Sequence, residues 1–137
     1  MDREIVIARV TARSGCAYEW GVHAATLAPQ AGLGPELLRA IAQPDAVGSA
    51  PWSPRHTALL RAVDELDDTT RLTQSAWDAL RMHYEEDQVL ELFVLIGWYR
   101  TISGLANGLL LDEEPWGARF PHGDAFIRLP GGEGCSG

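Results

Sequence analysis

Three groups able to do chemistry fall within one short stretch, SGCAYEWGVH (residues 14–23): the thiol of Cys16, the carboxylate of Glu19 and the imidazole of His23. Their spacing is i, i+3 and i+7. At 100° per residue a helix places them within about 60° of one another. Glu19 and His23 stand one turn apart, a separation at which a carboxylate reaches an imidazole nitrogen. Such a contact fixes the tautomer and orientation of the ring, which equips His23 for general acid–base work. A first-turn position for Cys16 would expose it to unpaired N–H groups and the helix dipole, which favour a thiolate. The same spacing also fits a plain salt bridge beside a small core cysteine. A metal site would lack a fourth ligand, so no metal is expected.

These groups need helices to hold them. The 3.6-residue periodicity predicts helices over residues 3–12, 15–30 (with Ser14 as N-cap), 35–42 (with Pro35 in the first turn), from Ser53-Pro54 onward, from Thr73 onward, and 86–110. Residues 43–52, QPDAVGSAPW, read as a loop. Asp64, Glu65, Asp67 and Asp68 give one helix an acidic end that reads as a solvated face. His56 and His83, at helix edges, read as solvated too. Within the long helix, VLELFVLIGWY is apolar nearly all round. One small domain can hardly cover it, which points to a subunit interface. The organisation expected is a helical domain over 1–114 and an extended Gly/Pro-rich tail over 115–137, with a short strand at 125–129 and a turn at His122-Gly-Asp124.

Composition narrows the classes. The chain has 137 residues, a formal charge of −8 and no lysine, its 11 basic residues all being arginine. Phosphate backbones repel such a surface, so nucleic acid is not an expected partner. Schiff-base chemistry and lysine-bearing phosphate loops are excluded. The apolar run 92–99 is far below the ~20 residues of a membrane span, so no membrane is expected. Two cysteines, Cys16 and Cys135, make no disulfide framework, and a cytoplasmic setting is expected.

The segment REIVIARVTARSGCAYEWGVHAATLAPQAGL resembles the motif region of the carboxymuconolactone decarboxylase family, part of the alkylhydroperoxidase D-like superfamily. In its redox members a glutamate is followed after eleven residues by Cys-x-x-Cys, three residues and His. Here Glu4, Cys16, Glu19 and His23 keep that frame, with Glu19 replacing the second cysteine. The similarity runs over residues 3–114 and, in its YEW-x-x-H form, is closest to the non-redox branch. It implies an all-α bundle, a trimer or a hexamer of trimers, and a cofactor-free lyase or isomerase acting on a small lactone or carbonyl acid. His23 would be the acid/base, Glu19 its orienting partner and Glu4 the completion of a proton relay. From the residues themselves, Cys16, Tyr18, Tyr99 and Arg100 are read as lining the substrate, and Asn107, polar within an apolar stretch, as either a pocket group or a cross-helix tie. Arg9 and Arg13 are further candidates for clamping a carboxylate. The alternatives are a thiol peroxidase using Cys16 and a non-catalytic oligomer that binds a small molecule. Trp20 reads as packing.

Overall fold

The computed structural model describes residues 1–121, and the expectations for His122, Asp124, residues 125–129 and Cys135 lie outside them. Within them the chain is all-helical: α1 (Asp2–Arg13), α2 (Ala17–Ala25), α3 (Leu27–Gln30), α4 (Pro35–Ile41), a 3-10 turn (Val47–Ser49), α5 (Pro54–Thr69), α6 (Gln74–Arg81) and α7 (Glu86–Gly108).

The centre of the bundle is α1, which packs against α2, α4, α5 and α7. Nine of its residues, 4 to 12 without a gap, are buried. Its neighbours supply Trp20, Ile41, Leu59, Leu60, Val63, Leu80 and Ile96 to the same core. A helix surrounded on all sides needs partners for its polar groups. Arg9 has them: its guanidinium, with no exposure, donates to the Asp64 carboxylate at 2.6 and 3.0 Å and to the carbonyls of Ile41, Gln43 and Pro44.

The caps follow the chemistry read from the sequence at Ser53 and Thr73, whose hydroxyls accept from the N–H groups of His56 and Ala76. The expected helix 15–30 is different. Ser14 closes α1, Gly15 turns the corner at φ +59°, and Cys16 becomes the N-cap of α2. A left-handed corner is open to glycine without steric cost. The helix then breaks at Thr26, because Pro29 has no N–H for the Ala25 carbonyl.

The acidic run on α5 is also not the solvated face expected. Asp64 holds Arg9, while Asp64, Asp67 and Asp68 all meet Arg13. His56, read as solvated, brings Nε2 to 3.3 Å from Asp2.

The last helix, α7, is buried along one stripe only: Val89, Ile96, Tyr99, Ser103 and Ala106. Leu90, Val94, Trp98, Leu105 and Leu109 form the opposite stripe and are exposed. Although the run 92–99 is short, the 23-residue helix as a whole is long and apolar enough by length and composition to cross a membrane.

Candidate functional site

The Gly15 corner sends α2 back along α1, and the Cys16 N–H closes it on the Thr11 carbonyl at 2.9 Å. Glu4, near the start of α1, and His23, near the end of α2, therefore arrive at the same level of the bundle. His23 Nδ1 lies 2.8 Å from Glu4 Oε2. On the far side of the ring the Tyr99 hydroxyl, from α7, is 3.2 Å from Nε2. The Tyr99 ring meets the imidazole edge-on, with centroids 5.3 Å apart. Glu19 Oε2 is 3.7 Å from Nε2, inside ion-pair range but beyond a hydrogen bond.

Three helices thus build a chain Glu4–His23–Tyr99, all three side chains buried. An ionised Glu4 accepts from Nδ1–H, which makes Nε2 the acceptor, and the Tyr99 hydroxyl donates to it. This changes the order of the two carboxylates. The i,i+4 neighbour Glu19 was expected to orient the ring and Glu4 to assist. Glu4 makes the short contact instead, reaching Nδ1 from another helix, while Glu19 reaches toward Nε2. Glu19 flanks Nε2 at the more exposed edge of the cluster, its side chain 18% exposed.

Cys16 has no exposure. Burial pushes its thiol above the ordinary range, against the N–H groups of Glu19 and Tyr18 and the Ser103 hydroxyl, which pull it down. The thiolate expected of a helix start does not prevail, because the desolvation of a charged sulfur outweighs those dipoles. Ser103 is the residue that sequence reasoning missed. It lies one turn beyond Tyr99 on the same buried face, which was the available signal. Its hydroxyl approaches the thiol without a well-directed hydrogen bond.

The other candidates are not brought to the imidazole. Arg100 is exposed and reaches α5, 3.4 Å from Asp67 and 3.3 Å from the Leu66 carbonyl. Asn107 donates to the Ser14 carbonyl at 2.9 Å and ties α7 to the α1–α2 corner. The Tyr18 hydroxyl lies 3.4 Å from Glu114, whose charge raises its pKa. Arg9 and Arg13 are committed to α5. No three histidine, cysteine or acidic side chains converge as a metal site among the described residues.

No protein-family model and no curated protein matches the sequence. Among solved structures the chain is similar to an Agrobacterium tumefaciens protein described as of unknown function and as a candidate antioxidant defence protein AhpD. The TM-score is 0.71 at 21% identity, over 82% of this chain and 77% of that one. The fold is therefore AhpD-like, as the motif resemblance implied.

Proposed function

We propose that the chain is a cofactor-free acid–base catalyst, a lyase or isomerase that moves a proton at a small lactone or carbonyl acid. The observation that carries this reading is the buried Glu4–His23–Tyr99 chain. Glu4 holds the ring and balances the imidazolium formed when Nε2 takes a proton. A substrate carbon–hydrogen bond presented at Nε2 displaces the Tyr99 hydroxyl, which then faces the oxygen where enolate charge develops. Return of the proton from Nε2 to another carbon gives isomerisation. Loss of carbon dioxide from a β,γ-unsaturated carboxylate, followed by proton delivery to the dienolate from an Nε2–H that is restored from solvent, gives decarboxylation.

The commitment of Arg9, Arg13 and Arg100 to α5 favours proton transfer over decarboxylation, since the latter calls for a cation on the departing carboxylate. Thiol peroxidase chemistry is the weaker reading: Cys16 is enclosed, its thiol is pushed up, and Glu19 stands where a partner thiol would be needed.

The assembly we propose is a homo-oligomer of trimeric type built on α7. At 100° per residue Leu90, Val94, Trp98, Leu105 and Leu109 fall within about 100° of one another. Gly97, Gly104 and Gly108 border that stripe, and a Cβ added at any of them would meet nothing. Glycine costs a helix interior about 1 kcal/mol each, and no contact among the described residues explains these three. Close approach of a second copy does.

The test is proton exchange. In D2O, wild-type protein should wash deuterium into the acidic C–H position of a panel of β,γ-unsaturated lactone acids and keto acids, followed by NMR, and His23→Asn should not. Hydroperoxide reduction that survives His23→Asn and disappears in Cys16→Ser would replace this reading with the thiol one.

A further inference from the structure

On the face of α2 next to the His23 row, Trp20 forms a wall of a cavity of about 330 Å3. Pro29, Leu33 and Leu38 supply its apolar floor, and Arg39 and Arg119 reach its lining. Trp20 is 2% exposed, and its ring stacks on Phe120 at 5.0 Å between centroids. Its indole N–H is buried with no acceptor among the described residues. An orphan donor of this kind is uncommon in a native fold, and it makes the Trp20 indole N–H a reporter of what occupies the cavity it lines.

The two arginines differ. Arg119 pairs with Glu113. Arg39, exposed on α4, has no hydrogen bond or ion pair from its guanidinium among the described residues. A guanidinium without a partner among the described residues, at the lining of an apolar cavity, is available to an anionic group.

We infer that this cavity binds an arylalkanoic acid, with its ring among Trp20, Pro29, Leu33 and Leu38 and its carboxylate on Arg39. Size sets the ring: an apolar cavity of about 150 Å3 already takes benzene, so 330 Å3 holds a phenyl ring and a short chain. Charge sets the carboxylate, because a guanidinium fork matches its two oxygens. The mixture of apolar walls and few polar groups is that of small-molecule sites. Binding here does not depend on chemistry at His23, whose partners are Glu4, Glu19 and Tyr99.

The probe is 3-phenylpropionate, with 3-phenylpropanol as its neutral counterpart, titrated into the full-length protein by calorimetry. The Trp20 indole N–H resonance, assigned by its loss in Trp20→Phe, is followed in parallel by NMR. The acid should bind at least 10-fold more tightly than the alcohol and move the Trp20 resonance. Arg39→Gln, a change at an exposed side chain, should remove that preference and leave the alcohol's affinity unaltered. Equal affinities, a preference that survives Arg39→Gln, a Trp20 resonance that stays still, or no binding of either probe up to 10 mM (roughly −2.7 kcal/mol) would each overturn the assignment.

Discussion

At the residue scale the two glutamates of the site divide by geometry rather than by sequence distance. Glu4, nineteen positions from His23, makes the 2.8 Å contact, and Glu19, four positions away, stands at 3.7 Å. Glu4→Gln removes the charge that balances an imidazolium, and the exchange rate should fall by about 10²–10⁴-fold. Glu19→Gln should cost less than Glu4→Gln, by at least about tenfold, because no short hydrogen bond is lost. Parallel rate measurements on both variants decide the order, and a larger loss at Glu19 would return it to the leading role. Cys16→Ser should retain most of the exchange activity, since no step of a proton transfer uses a thiol.

At the element scale, α1 is placed by charged ties at each end. Near its C-terminal end Arg9 anchors the 41–44 segment and α5. Arg9→Leu leaves the Ile41, Gln43 and Pro44 carbonyls without this donor and Asp64 with only the longer contact from Arg13. Urea unfolding should show a loss of about 3–5 kcal/mol, the scale for breaking a buried pair. At the N-terminal end the Asp2 carboxylate accepts from Arg55 Nε at 2.7 Å and the Tyr84 hydroxyl at 2.8 Å. Burial alone would raise the Asp2 pKa. The hydrogen bonds from Arg55 and Tyr84, with the charges of Arg55 and His56, outweigh it and hold the carboxyl below its ordinary 3.8. A lowered folded-state pKa means stability that is present above pH 3.8 and lost as pH falls through the folded value. Asp2→Asn should therefore flatten the acid limb of a stability–pH profile below about pH 4, with an effect near pH 7 of no more than about 1 kcal/mol for so exposed a group.

At the scale of the whole molecule two contacts reach across the fold. The segment after α7 returns to α2, where the Ala118 N–H donates to the Gly21 carbonyl at 3.0 Å. A Cβ at Gly21 would stand 2.9 Å from the Ala118 carbonyl oxygen. Gly21→Ala should push that segment off α2, cost about 1–3 kcal/mol by overpacking, and weaken 3-phenylpropionate binding beside Trp20. The other contact is between copies. Light scattering should find an oligomer at micromolar concentration, and Val94→Glu with Trp98→Glu should dissociate it, because like charges would meet across the α7 stripe. A stable wild-type monomer would remove α7 as an interface.

The sequence by itself determined the all-helical class, the caps at Ser53 and Thr73, the restart at Pro35, and the Glu4–Cys16–Glu19–His23 frame. These depend on periodicity and local hydrogen bonding, which neighbouring residues carry. The tertiary structure decided the rest. The break at Thr26 came from Pro29 within a stretch whose apolar pattern continues through it. Arg9 and Asp64, 55 positions apart, made one buried pair of what looked like a solvated charge run and a free clamp. Burial lifted the Cys16 thiol against its helix-start position. Tyr99, already expected at the site, met the imidazole itself, and Ser103 joined the cluster, only because α7 lies across α1 and α2. In each case the deciding quantity is desolvation or a contact between distant segments, and neither is written in the spacing of residues along the chain.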